Sequence, residues 1–163
     1  MQQARLMDAM IAYDHGDVKR IQHFVKVHDF AAAIGRLEKL DEETQFILES
    51  AAILHDIGIH VSEQKYGSSN GKYQELEGPA EAEKLMREVD GYTERQIDRI
   101  KYLIGHHHTY HEIDGMDYQI LIEADFLVNL YEDGESKETA EAVRSRIFRT
   151  KAGIRFLSQM FGI

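Results

Sequence analysis

The chain contains a single proline, Pro79, in 163 residues, so almost nothing along it forbids helix formation. Apolar residues recur every three or four positions in most segments, as they do on one face of a helix. No segment shows the strict alternation of apolar and polar residues that is typical of a half-buried strand. We therefore predict an all-α fold of about six to seven helices, with residues 1–163 forming a single domain.

Capping residues and chain breakers set the expected helix boundaries. Asp17 is expected to cap a long helix, and Thr93 and Gln96 form the pattern of a capping box. Pro79 is expected in the first turn of its helix, which leaves residues 60–76 as a long loop. The expected helices cover residues 3–13, 18–37, 41–55, 79–89, 93–104, 117–131 and 136–160.

Composition restricts the class of partner and the compartment. The net charge is −10, so the chain lacks the basic surface that binding duplex DNA or RNA requires. It has no cysteine, which excludes disulfides and thiolate metal sites and fits a reducing compartment. No apolar stretch approaches the ~20 residues that span a bilayer, and the first residues lack the apolar core of a signal peptide. We expect a cytoplasmic protein without a membrane or nucleic-acid duplex partner.

Four ionisable residues stand where burial is expected. His55 and Asp56 end the apolar run 51–54, and Asp125 lies inside the apolar run 120–128. His23 falls on the apolar face of its predicted helix, whereas His28, five residues later, does not. Buried ionisable groups cost free energy unless a partner or an ion compensates them. Two imidazoles and two carboxylates form a mixed donor set that suits Mn²⁺, Fe²⁺, Ni²⁺, Zn²⁺ or, less well, Mg²⁺.

The order of these residues, H…HD…D, spans about residues 18–131 and resembles the HD superfamily of metal-dependent phosphohydrolases. The local sequences Arg20-Ile21-Gln22-His23 and Glu123-Ala124-Asp125 resemble the same family, which assigns the metal ligand to Asp125 and not to Glu123. The resemblance implies a helical HD domain whose His23, His55, Asp56 and Asp125 bind a divalent metal ion. It also implies an enzyme that hydrolyses a phosphate ester of a small molecule, with a nucleotide as the expected substrate. Asp56 would orient or deprotonate the attacking water.

Three consecutive histidines, His106, His107 and His108, follow the predicted helix that ends near Gly105. Several HD subfamilies carry a histidine pair here that binds a second metal ion or the substrate phosphate. The resemblance ranks His107 first, and we expect it to stabilise the phosphate or to protonate the leaving oxygen. A solvated polar loop is the alternative interpretation of all three.

The resemblance to two-metal members is incomplete. Those members carry a histidine just before the helix that is expected to begin near Pro79, where this chain has Glu75 and Glu77. Either glutamate could supply an oxygen to a second ion, and an ordinary acidic helix start is the alternative. We therefore expect one metal ion, with a second ion as the alternative.

Several basic residues are candidates for contact with a substrate phosphate. Many family members have a lysine after HD-x-G, but Ile59 and His60 follow Gly58 in this chain. The long loop is expected to close over the substrate, with Gly67 and Gly71 as its flexible points. The candidate cations, each of which could also be an ordinary surface charge, are Lys26, Lys65, Lys72 and Arg20.

Two alternatives to the phosphohydrolase follow from the same residues. A di-iron oxygenase of the HD type would need six ligands, including Glu75 or Glu77 and the histidine cluster. A non-catalytic module would bind a nucleotide or a metal ion without turnover.

Separately, the apolar last helix, 136–160, could pack on the core or form a homodimer interface.

Overall fold

The computed structural model describes all residues from 1 to 163 and consists of nine α-helices without a β-strand. The prediction of an all-α fold is confirmed, whereas the predicted number of six to seven helices was too low. None of the nine helices is both long and apolar enough to cross a membrane. The helices are α1 (Gln2–Tyr13), α2 (Val18–Leu37), α3 (Glu42–Leu54), α4 (Ile59–Tyr66), α5 (Gly71–Val89), α6 (Glu94–Ile104), α7 (Met116–Glu132), α8 (Lys137–Ile147) and α9 (Lys151–Phe161).

Two predicted helix starts are confirmed by their caps. The Asp17 carboxylate accepts a hydrogen bond from the Arg20 amide at 3.1 Å, at the start of α2. At the start of α6, the Thr93 hydroxyl and the Gln96 side chain each accept a bond from the other residue's backbone amide. These side chains satisfy amides that the first turn of a helix leaves free.

The predicted long loop over residues 60–76 is wrong, because most of this segment is helical. Gly67 ends α4 in the left-handed conformation (φ 64°), and Asn70 caps α5 by accepting a bond from the Lys72 amide at 3.0 Å. Only the short turn 67–70 lies between the two helices, so no long loop is present to close over a substrate. Pro79 lies inside α5 and not in its first turn, since the helix begins at the Asn70 cap.

The predicted last helix over residues 136–160 is also wrong, because the structure divides it into α8 and α9. Between them, Phe148 adopts an extended conformation and buries its ring. The buried Glu123 carboxylate on α7 accepts hydrogen bonds from the backbone amides of Arg149 and Thr150, at 2.7 and 3.0 Å. A carboxylate in the core thus stabilises this break, and no pattern within 136–160 could reveal it.

The core lies where α2, α3 and α7 pack against one another, while α6 packs on α3 and α5 packs on α6. Fully buried side chains on the three central helices include Val27, Leu54 and Leu121. The first half of α2, the end of α3 and the middle of α7 therefore meet inside the protein. The predicted metal ligands lie at these three places.

Candidate metal centre

The structure brings the four predicted ligands together around one point. His23 projects from the second turn of α2, His55 and Asp56 follow the end of α3, and Asp125 projects from the middle of α7. The Nε2 atom of His23 lies 3.2 Å from Nε2 of His55, 3.2 Å from Oδ1 of Asp125 and 3.3 Å from Oδ2 of Asp56. The Nε2 atom of His55 lies 3.5 Å from each of the same two oxygens.

These separations fit a shared cation. Nitrogen and oxygen ligands bind first-row metals at about 2.0–2.2 Å, so neighbouring ligand atoms at octahedral or tetrahedral angles lie roughly 3.0–3.5 Å apart. The measured distances of 3.2–3.5 Å fall within that range. The donor atoms, two nitrogens and two oxygens, suit a borderline divalent ion. The residues present therefore fit the metal ion that the sequence predicts.

Hydrogen bonds on the far side of each imidazole direct Nε2 toward this point. The Nδ1 atom of His55 donates to the Ala52 carbonyl at 2.8 Å, and that of His23 donates to Oε2 of Glu132 at 2.9 Å. The Asn129 amide donates to Oδ1 of Asp125 at 2.8 Å. A histidine that donates from Nδ1 keeps the lone pair of Nε2 for a metal ion. Sequence reasoning missed Glu132 and Asn129, which lie seven and four residues after Asp125 on α7.

The charges at this point compensate one another in the absence of an ion. Burial disfavours the protonated form of His55, but the carboxylates of Asp56 and Asp125 raise its pKa to about 9. Burial would raise the pKa of each carboxyl group, yet the neighbouring histidines hold both below their ordinary range. The two carboxylates therefore favour positive charge beside them. Protons on the imidazoles can supply that charge, and so can a divalent cation that takes their place.

His107 lies beside the four residues, on the other oxygen of Asp56. Its Nδ1 donates to the Ile104 carbonyl at 2.7 Å, and its Nε2 lies 3.5 Å from Oδ1 of Asp56. This Nε2 atom is buried and has no hydrogen-bond partner. An orphaned buried nitrogen is costly unless something binds it. Its lone pair is therefore available to a ligand of the site.

His108 joins Asp56 and His107 in a second group whose potential ligand atoms lie within 4.8 Å of one another. The Gln74 amide donates to the Ser69 carbonyl at 2.7 Å, so its Oε1 must accept the 3.1 Å bond from Nε2 of His108. Burial and the neighbouring His107 lower the pKa of His108 to about 4. His108 is thus neutral near pH 7 and keeps its lone pair on Nδ1.

The other predicted residues of the second site lie elsewhere. The ring of His106 stacks on Tyr102, with ring centroids 4.1 Å apart, and its Nδ1 donates to the Tyr102 carbonyl. The Glu77 carboxylate accepts hydrogen bonds from Lys65 and Tyr66, each at 2.7 Å. The Glu75 carboxylate accepts bonds from the His108 amide and the Thr109 hydroxyl, at 3.0 and 2.8 Å. Both glutamates therefore serve contacts between helices and turns.

The candidate cations differ in whether they already form an ion pair with a carboxylate. Lys26 pairs with Glu132 at 2.6 Å, and Lys65 pairs with Glu77 at 2.7 Å. Arg20 approaches Glu63 only to 3.9 Å, and the Lys72 side chain is exposed. Arg20 and Lys26 lie three residues before and after His23 on α2, so both flank the metal-binding face. Their predicted contact with substrate phosphate stays a prediction.

Comparison with known proteins agrees with this geometry. The family model described as HD domain matches residues 20–149, a span that contains His23, His55, Asp56, Asp125 and the three consecutive histidines. No curated protein and no solved structure matches the chain.

Proposed function

The chain belongs to the HD domain family, and on that premise we propose that it is a metal-dependent phosphohydrolase. Its proposed substrate is a phosphate ester of a small molecule, with nucleotides as the favoured class. The observation that carries the proposal is the approach of His55, Asp56 and Asp125 to within 3.2–3.3 Å of the His23 Nε2 atom. Such a mixed donor set binds a catalytic divalent ion and leaves positions for water and substrate if the ion takes five or six ligands.

Four residues would bind the ion, and one of them, Asp56, would also orient the attacking water. His23, His55, Asp56 and Asp125 would hold the ion, which when bound supplies Lewis-acid polarisation of a phosphoryl oxygen and lowers the pKa of water. Asp56 presents Oδ2 to the two histidines and Oδ1 to His107. Because His55 keeps the pKa of Asp56 low in spite of burial, Asp56 is ionised near neutral pH and can orient an attacking water.

His107 is proposed to protonate the leaving oxygen or to stabilise the phosphate. Its Nδ1 proton is fixed on the Ile104 carbonyl, so a further proton would reside on the orphaned Nε2 atom. That atom is 3.5 Å from Asp56, so it lies beside the place where bond cleavage would occur. A histidine there can donate a proton to the departing oxygen.

A hydrolysis assay with defined metals tests the proposal. We would incubate the untagged protein with Mn²⁺, Fe²⁺, Ni²⁺, Zn²⁺ or Mg²⁺ and with a panel of nucleoside mono-, di- and triphosphates, and measure released phosphate. We expect turnover that requires a metal and that Asp125→Asn reduces by about 100-fold or more, since even outer partners of a metal site contribute about 10–100-fold. Metal binding without turnover on any phosphate ester would overturn the hydrolase and favour the non-catalytic module.

The same preparation tests the di-iron alternative. An oxygenase would contain about two irons per chain and give a mixed-valent signal. It would also need further oxygen ligands, whereas Glu75 and Glu77 already accept hydrogen bonds from other residues. We therefore propose the hydrolase.

A further inference from the structure

Glu132 lies at the last residue of α7 and joins two charged partners on α2. Its Oε2 atom accepts the Nδ1 proton of His23 at 2.9 Å, and its Oε1 atom accepts a hydrogen bond from Lys26 at 2.6 Å. The Glu132 side chain is only 16% exposed and that of His23 only 6% exposed. The contact therefore forms in a region that water reaches poorly, where a charged hydrogen bond is stronger than at the surface.

Helix geometry and helix packing fix the relative positions of His23, Lys26 and Glu132. His23 and Lys26 are three residues apart on α2, so their side chains lie on neighbouring parts of one face. Glu132 is seven residues, or about two turns, beyond Asp125 on α7, so the same helix carries both a ligand and the support of another ligand. Packing of α2 against α7 thus fixes both ends of the contact.

We propose that Glu132 is a positioning residue that holds the His23 imidazole with Nε2 toward the metal, and that Lys26 fixes the Glu132 carboxylate and does not contact the substrate. The inference rests on the proposed metal site. The carboxylate makes His23 a stronger electron donor and prevents its ring from turning. The Lys26 ammonium, which donates a 2.6 Å hydrogen bond to Oε1, holds the Glu132 carboxylate in this orientation.

Zn²⁺ affinity, measured by competition with a chromophoric chelator, tests the inference without requiring turnover. We expect Glu132→Ala to weaken binding about 10–100-fold, as outer partners of metal-binding histidines do. Glu132→Gln keeps the shape and an acceptor, so we expect a smaller loss. The control is Glu135→Ala, which removes an exposed carboxylate three residues later and should leave affinity unchanged. Equal affinity in wild type and Glu132→Ala would overturn the proposal.

A double-mutant cycle separates the two roles of Lys26. If Lys26 acts through Glu132, Lys26→Met weakens Zn²⁺ binding in the wild type and has no further effect in the Glu132→Ala background. If it contacts the substrate, Lys26→Met instead raises KM in both backgrounds and leaves Zn²⁺ affinity unchanged, and the proposal fails.

The proton spectrum of the Zn²⁺-loaded protein supplies a readout that a purely structural role would not move. The Nδ1 proton of His23 should give a slowly exchanging downfield signal that Glu132→Ala abolishes and Glu135→Ala retains. Persistence of that signal in Glu132→Ala would contradict the proposal. Absence of phosphatase activity in a Zn²⁺-binding protein would reject the proposed function and leave this inference intact.

Discussion

Gly58 and Gly78 bring the start of α4 and the middle of α5 into backbone contact. A β-carbon on Gly58 would lie 2.8 Å from the Gly78 nitrogen and 2.8 Å from the Gln74 carbonyl oxygen. Neither atom belongs to a flexible side chain, so the backbone itself would have to move. Since Gly58 follows Asp56 by two residues, this contact also sets where the His55-Asp56 pair lies.

Gly58→Ala is therefore expected to destabilise the fold by about 1–3 kcal/mol, as overpacking a tight contact does. Urea unfolding followed by circular dichroism measures the change. Gly134→Ala is the control, because its added carbon meets nothing within 4 Å and only its positive φ (66°) opposes substitution. An unchanged free energy of unfolding in Gly58→Ala would show that the close backbone contact is unimportant.

Glu123 provides a second test of the fold. Its buried carboxylate accepts hydrogen bonds from the Gln119 side chain, two backbone amides and the Thr150 hydroxyl. Glu123→Leu would leave these donors unsatisfied inside the protein, at about 1–3 kcal/mol for each that water cannot reach. We expect a marked drop in Tm, whereas Glu141→Leu on the exposed face of α8 should change it little. Equal Tm values for the two variants would contradict this role.

Metal affinity should rise with pH. The raised pKa of His55, about 9, means that His55 carries a proton at neutral pH in the metal-free protein, and an incoming ion must displace it. Each displaced proton changes the apparent affinity by up to about tenfold per pH unit, so binding strengthens from pH 6 toward pH 9 and then levels off. Calorimetric titration in buffers of different ionisation enthalpy counts the released protons. Affinity that is flat from pH 6 to pH 8 would rule out this protonation.

His107→Ala should separate catalysis from binding of the first ion. His107 is not among the four converging ligands, yet its orphaned Nε2 atom faces Asp56. We expect kcat to fall by about 10²–10⁴-fold, the usual contribution of a general acid or base. Steady-state kinetics at saturating metal measures the loss. Unchanged kcat would remove His107 from the reaction.

The sequence marks the four candidate ligands but not the residues that hydrogen-bond them, for a physical reason. His23, His55, Asp56 and Asp125 each interrupt an apolar pattern, which marks them as buried ionisable groups, and the resemblance to the HD family separates Asp125 from Glu123 in the same run. Glu132 is not marked in this way, because it stands at a polar helix end and its partner His23 is 109 residues away. No local pattern records a contact of that range.

The two segments that were predicted wrongly have different explanations. Turn residues at 67–70 and the proline at position 79 suggest a loop, yet Asn70 caps a helix that continues through Pro79. The break between α8 and α9 depends on Glu123 from another helix. The Asn70 cap is a local contact, whereas the break between α8 and α9 depends on a tertiary contact that local propensity could not reveal.

Metal content of the untagged protein tests the central claim most directly. We would measure it by mass spectrometry after reconstitution with Mn²⁺, Fe²⁺, Ni²⁺ or Zn²⁺, for the wild type beside Asp56→Ala, Asp125→Ala and His107→Ala. The expected result is about one ion per chain in wild type and His107→Ala, and none in the two aspartate variants. A wild type that retains no ion, or aspartate variants that retain it fully, would contradict the proposed metal centre.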